Sequence, residues 1–332
     1  MPRLVRLSLR VWQVSPQGGI APFRYPLFPS GYDAETLGST SPLPSPDGRW
    51  IAFSQFGGDY DLHLLNVASG RERRITHFGR HPTGRYTYAT VLIADWSSEG
   101  DAVLLAVVAG EDLSESDEGD LLIPDASYGH YTYSLVTGAI QSVPLPKTFE
   151  PLSWLPDDRF IGVLPGRSIR DDKLVILRPG KSGEIAVAAI NVSLYQARAS
   201  VDGKWLVGLH KDSGGPLVEG TAQIVKVNLA TMAVTSLVPL GWWSGNEQPA
   251  LSPDDKHVAY KREKREHETY FTPQESLFLD RQKIYSCPRP IDFKWVDDRM
   301  IAIACQDEVV VLDTNSGRTL GQYKIVSAEA GH

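Results

Sequence analysis

Titratable and aromatic side chains gather at a few places along this sequence. The segment 77–90, HFGRHPTGRYTYAT, brings together His77, Arg80, His81, Arg85, Tyr86 and Tyr88. Arg with Tyr is a composition typical of recognition surfaces. His77 and His81 stand four apart, but Gly79 and Pro82 oppose a helix that would align them. No third ligand is identifiable, so no metal is expected. Trp242 and Trp243 sit in a Gly-flanked segment. One can plug a gap between packed sheets; the other can offer a flat apolar surface to a ligand ring or a peptide side chain. Signals of nucleophilic hydrolysis are missing. Gly241-Trp242-Trp243-Ser244-Gly245 has the wrong spacing for G-x-S-x-G, and neither H-E-x-x-H nor C-x-x-C occurs.

The elements that must carry these residues are short strands. Ser45-Pro46-Asp47-Gly48-Arg49-Trp50-Ile51-Ala52-Phe53 reads as a tight polar turn feeding an apolar strand. Asp bonds its own backbone and Gly takes positive φ, which is why both serve in such turns. Degraded copies recur. Their acidic turn residues, Asp47, Glu99, Asp157, Asp202, Asp254 and Asp297, follow at intervals of 52, 58, 45, 52 and 43 residues. Each interval holds four strands. The expected units are 41–76, 91–145, 150–190, 195–238, 247–288 and 291–326. A period of this length with four strands per unit predicts an all-β fold, a six-bladed β-propeller of four-stranded antiparallel blades, in a single domain over 1–332. Strand 4–14 is left over in the segment 1–40. It is expected to join the last blade or cover an edge; a seventh blade using this strand is the alternative.

The phrase SPDGRWIAFSQ followed by DLHLLNVASGRERRIT resembles the WD40-like repeat of TolB-type propellers. It is also similar to the propeller domains of tricorn-type and prolyl-oligopeptidase proteases. The resemblance covers about 41–326 and is strongest at 41–76. It implies a blade and carries no catalytic residue with it.

Within such blades the connections divide unevenly. The first-to-second and third-to-fourth turns are short throughout (PDG, SEG, VDG, ASG, TG, NSG). The other set holds the long segments, among them 77–90, 109–129, 211–221, 239–246 and 261–274. Long segments confined to one side mark that face for binding. Residues 111–120, EDLSESDEGD, do not have the spacing of a calcium loop and read as a solvated insertion. Residues 261–267, KREKREH, read as a solvated hairpin extension. First strands aligned on the turn give a column of Leu43, Asp95, Ser153, Arg198, Ala250 and Lys294. Its charges need partners, either as a clasp between blades or as a ring that binds a ligand. Nearer the elaborated face, Glu150, Gln196, Glu247, Gln248 and Asp292 predict an acidic mouth.

Net charge is −7 and pI about 5.6, which opposes broad nucleic-acid binding. No apolar run is long enough to span a membrane. The N-terminus lacks a signal-peptide pattern, and two cysteines, Cys287 and Cys305, do not form a disulfide framework, so a cytoplasmic protein is expected. The leading expectation is a recognition module without a cofactor. Its partner is a peptide, a protein or a small-molecule ligand held on the loop-rich face. The alternative is a small-molecule enzyme (lyase, hydrolase or cyclase) with its site at the channel mouth, since a site assembled from several loops leaves no local motif.

Overall fold

The computed structural model describes residues 3–7, 10–23, 42–54, 61–77, 89–109, 129–166, 173–180, 185–190, 194–211, 222–241, 248–264, 274–288, 291–305 and 308–324. All regular elements among them are strands. A first antiparallel sheet holds β1 (Arg3–Leu7), β2 (Arg10–Val14) and β3 (Ile20–Pro22). Next comes the sheet of β4 (Leu43–Pro44), β5 (Trp50–Ser54), β6 (Leu62–Asn66) and β7 (Glu72–Arg74). The third contains β8 (Ala89–Trp96), β9 (Ala102–Ala109), β10 (Gly129–Ser134) and β11 (Ile140–Val143). The fourth contains β12 (Glu150–Trp154), β13 (Phe160–Leu164), β14 (Lys173–Pro179) and β15 (Ile185–Ala189). The fifth contains β16 (Leu194–Ala199), β17 (Trp205–Lys211), β18 (Ala222–Asn228) and β19 (Val234–Gly241). The sixth contains β20 (Ala250–Leu251), β21 (Val258–Lys264), β22 (Gln274–Leu279) and β23 (Gln282–Cys287). The last contains β24 (Ile291–Trp295), β25 (Met300–Cys305), β26 (Glu308–Asp313) and β27 (Thr319–Lys324).

The fold is therefore all-β and of the propeller class, with six four-stranded blades where the repeats place them. The N-terminal segment departs from the main expectation. It is not one strand added to the last blade. It forms a three-stranded sheet of its own, so the described sheets number seven, as in the alternative. Segment 261–267 is also corrected in part: Lys261, Arg262, Glu263 and Lys264 belong to β21, and Lys261 is buried.

By contacts the residues group into two compact units, one of 1–8, 12–23 and 190–332, the other of 9–11 and 24–189. In the second unit the sheets of β4–β7, β8–β11 and β12–β15 stack in sequence order. Ala52, Leu62 and Leu64 pack against Val91, Trp96, Val103, Leu105 and Val107. On the opposite face of β9, Leu104 packs with Phe149, Phe160 and Val175. An inner sheet buried on both faces needs apolar residues at every position, not alternate ones. That is why β9 reads AVLLAVVA. In the first unit β25, MIAIAC, is buried throughout for the same reason. Ile301 and Ile303 face the Leu277 side. Ala302 and Ala304 face Trp12 and Val14 of the N-terminal sheet.

The N-terminal sheet docks closely. Trp12 meets Tyr323 edge-on with centroids 5.4 Å apart, and an Arg3 guanidinium N–H donates to the Val296 carbonyl at 2.7 Å. Gly321 permits the approach, since a Cβ there would stand 2.1 Å from the Gly18 carbonyl oxygen. Cys287 of β23 and Cys305 of β25, which their number alone does not pair, form a disulfide between neighbouring sheets across a Cα separation of 6.0 Å.

The recurrent turn explains itself in hydrogen bonds. Ser45 Oγ donates to Asp47 at 2.6 Å and accepts the Trp50 N–H at 3.0 Å, while Asp47 accepts the Arg49 N–H at 2.9 Å. Ser200 with Asp202 and Ser252 with Asp254 repeat the pattern. In the β8–β9 turn the carboxylate that bonds Ser97 is Asp101, not Glu99. Gly48, Gly100 and Gly203 hold the left-handed position that closes each turn, at φ 69°, 72° and 67°. Aspartates 158 and 255 occupy the corresponding place at φ 60°.

His130 of β10 links its sheet to the segment before β12. Its Nε2–H donates to the Phe149 carbonyl at 2.9 Å, and Nδ1 is buried without a hydrogen-bond partner. Burial pushes the imidazole below its ordinary value of 6.5, opposed by the bond to Phe149. The fold holds the neutral ring. The stability this confers is therefore complete above 6.5 and drains as pH falls through the lower folded value. His130→Leu should remove part of the acid loss, at most ~1.4 kcal/mol per pH unit. Urea midpoints between pH 7 and pH 4 check this; a variant with the wild-type pH slope contradicts it.

Candidate functional site

In most of the four-stranded sheets the short and long connections fall at opposite ends; in the last, β25 and β26 are two residues apart. The turns 45–49, 97–101, 155–159, 200–204, 252–257 and 296–299 join first to second strands; 67–71, 135–139, 229–233 and 280–281 join third to fourth. The strand ends at the other side bracket 110–128, 212–221, 242–249 and 265–273. The first strands β16, β20 and β24 begin at that long-segment end.

Polar groups of the first unit converge between these inner strands, with Asp292 and Glu275 at that end and Arg198 one residue before the close of β16, toward its short turn. Arg198 on β16 and Asp292 on β24 are half-buried and interact. Burial pulls the Arg198 guanidinium down, and the Asp292 carboxylate opposes it. Behind them Lys261 on β21 and Glu275 on β22 are 4% and 3% exposed, with Nζ 3.7 Å from Oε2. Lys261 pairs across the ladder with Leu277, so Glu275 lies diagonally adjacent on the same face. Burial pulls the Lys261 ammonium down; Glu275 and then Asp292 push it back up. Two cations and two anions from three successive sheets thus balance one another, one pair buried and the other half-buried.

The backbone beside this cluster is strained. Gln196 and Gln248 adopt φ of 50° and 42°, a region that costs a side-chain-bearing residue about 1–2 kcal/mol. Each lies two residues before its column residue, Arg198 or Ala250. The Gln248 N–H donates to Gln196 Oε1 at 2.6 Å, and β16 bulges between Tyr195 and Arg198. Strain of this kind persists where the surroundings enforce it, and it concentrates at functional sites.

The remaining expected residues separate. Asp95 of β8 accepts Ser153 Oγ at 3.0 Å and the Trp154 N–H at 2.8 Å, so it clasps two neighbouring sheets. Glu150 opens β12 and is exposed; His77 is exposed after β7; Lys294 is half-buried on β24. His81, Arg85, Tyr86, Trp242, Trp243 and Glu247 lie outside the described residues, as does the acidic segment 111–120. Lys261 and Glu275 were not expected. Only the pairing of β21 with β22 makes Lys261 and Glu275 neighbours, and KREKREH carries the signature of a solvated surface. Among the described residues no three His, Cys, Asp or Glu side chains form a metal-ligand group.

A second feature occupies the short-turn end of the same unit. A cleft of about 370 Å³ opens between the β16–β19 and β20–β23 sheets. Leu237, Leu251 and Val258 wall it, and Lys226, Asp255 and Arg281 supply polar groups.

The blades and their turns define a β-propeller. No known family model and no curated protein matches the chain by sequence. Its likeness to solved structures is one of fold. An acylaminoacyl peptidase of Pyrococcus horikoshii is 12% identical with a TM-score of 0.52, over 99% of this chain and 53% of that one. A functionally unknown protein from Desulfotomaculum acetoxidans is 12% identical with a TM-score of 0.50, over 98% and 94%. TolB from Acinetobacter baumannii is 18% identical with a TM-score of 0.47, over 83% of this chain and 60% of that one. The chain spans only part of the peptidase and of that TolB.

Removing one partner of a buried ion pair strands the other charge, at about 3–5 kcal/mol. Lys261→Met should therefore lower unfolding free energy by that amount. The double variant Lys261→Met/Glu275→Leu should recover most of the loss. Urea denaturation of the three proteins decides it; a double variant as unstable as the single one contradicts the pairing.

Proposed function

We propose that this propeller is a recognition module that binds a peptide or protein segment at the long-segment end of its inner strands. Arg198 and Asp292 make the polar contacts. Lys261 and Glu275 hold these two in place, and the segments 242–247 and 265–273 adjoin them in sequence. The observation that carries the reading is a balanced charge cluster of Arg198, Asp292, Lys261 and Glu275 beside strained backbone at Gln196 and Gln248, with Asp292, Glu275 and Gln248 at the strand ends where the long connections lie. A cluster that served only to clasp sheets would need no strained backbone beside it. The peptidase activity named for the Pyrococcus protein is not carried over, because the likeness is of fold and the chain covers 53% of that protein.

Arg198→Gln/Asp292→Asn keeps shape and net charge while removing both charged contacts. Screened against an immobilised random hexapeptide library, the wild-type chain should retain a defined set of peptides. The double variant should lose that set by roughly tenfold or more in affinity, about 1.4 kcal/mol, with its thermal midpoint little changed. Retention of the same peptides with the same affinity, or no peptide retained by the wild type, contradicts the proposal.

A further inference from the structure

The cleft at the short-turn end contains an unexplained acceptor. In three other turns of this kind the left-handed position is glycine, at residues 48, 100 and 203, and in a fourth it is Asp158. Asp255 takes the position at φ 60° and is among the residues that line the cleft. One oxygen, Oδ1, is buried with no hydrogen-bond partner. An unmet buried acceptor costs about 1–3 kcal/mol. The neighbouring carboxylates are all engaged: Asp254 with Lys256, Asp202 with Lys204, and Asp280 with His257. Burial and the Asp202 carboxylate push Asp255 upward in pKa, against the pull of Lys226 and Lys204.

The surroundings restrict what can meet this carboxylate. The Lys226 ammonium is fixed nearby. It donates to the Asp255 carbonyl at 3.0 Å and stands 4.1 Å from the centroid of the Trp205 ring. A second ammonium brought to Asp255 would be repelled by it. A neutral N–H would not. Beyond Asp255 the walls are aliphatic, formed by Leu237, Leu251 and Val258. At the rim Arg281 is exposed and makes no ion pair among the described residues. The volume, about 370 Å³, suits one or two amino-acid residues at the lower end of ordinary ligand sites.

We infer that this cleft binds the carboxy-terminal residue of a peptide with an aliphatic side chain: the amide N–H donates to the accessible oxygen of the Asp255 carboxylate, the side chain packs on Leu237, Leu251 and Val258, and the terminal carboxylate meets Arg281. All three groups of such a terminus find their complement, and capture of a terminal carboxylate is a recurrent mode of peptide recognition. This site rests on the reading of the chain as a recognition module, but none of Arg198, Asp292, Lys261 and Glu275 lines it.

N-acetyl-L-leucine is the minimal probe, titrated into the intact chain and followed by ligand-observed NMR. Saturable binding is expected. N-acetyl-L-leucinamide, which lacks the carboxylate, should bind about tenfold more weakly, and Arg281→Gln should erase that difference. Asp255→Gly installs the residue that three other turns already use, so it should fold and yet bind N-acetyl-L-leucine about tenfold more weakly. No saturable binding to the wild type, or unchanged affinity in Asp255→Gly, overturns the site. The same Asp255→Gly protein, screened on the hexapeptide library, separates the two ideas. Peptides retained there but lost in Arg198→Gln/Asp292→Asn uphold the first site whatever the titration shows. An empty library screen with intact N-acetyl-L-leucine binding rejects the first site and leaves the cleft standing.

Discussion

A four-stranded sheet of this sequence has two apolar faces, and it cannot hide both alone. That constraint shapes the rest. In β25 every residue from Met300 to Cys305 is buried, so both flanking sheets must be present before the strand is out of water. The same holds for β9, whose odd and even residues enter different cores. At ~25 cal/mol per Å² of apolar surface, an uncovered face costs more than turn hydrogen bonds return. Stacking therefore comes first, and the turns fix register within it. The N-terminal sheet follows the same logic. Trp12 and Val14 cover the face of β25 and β26 that would otherwise meet solvent.

Stacking also dictates where chemistry can reside. First strands of successive sheets lie side by side, so a charge on one has neighbours on the next. Asp95 meets Ser153 and Trp154, and Trp96 and Trp295 donate their indole N–H groups to Leu43 and Ala250 of the preceding sheet. Most of these contacts are clasps. The Arg198–Asp292 cluster differs, because it recruits a second buried pair and strained backbone at Gln196 and Gln248. Short turns locked by Ser–Asp hydrogen bonds leave little freedom at one end of each sheet, whereas the long connections sit at the other. The Asp255 cleft is an exception: a locked turn beside a cleft, carrying an acidic side chain where three of its counterparts have glycine.

The sequence made the blades legible because their turns are local. Ser, Asp and Gly at fixed offsets close the five-residue loops 45–49 and 200–204 whatever surrounds them, and degraded copies of that loop set the period. Features that depend on stacking were harder to read. Arg3 to Val14 looks like one alternating strand, yet β1 and β2 form a hairpin pair whose purpose is to cover β25. Cys287 and Cys305 stand 18 residues apart with nothing local to join them; only adjacent sheets bring them together. Lys261 looked solvated because its neighbours in sequence are charged, while its neighbours in space are Leu277 and Glu275. Of the expected site residues, Arg198 and Asp292 were found by aligning first strands, a long-range inference that the repeat made available. Asp255 was invisible, since SPDD reads as an ordinary turn until the cleft beside it is seen.

Native-state hydrogen exchange measures the stacking constraint most directly. Within the unit that contains β24–β27, the central-strand amides of β17, β18, β21, β22, β25 and β26 should share one opening free energy and one denaturant dependence, because no sheet there can shed its neighbours and remain ordered. Separate opening of a single sheet, with the adjoining ones still fully protected, would contradict the dependence of each blade on the faces beside it.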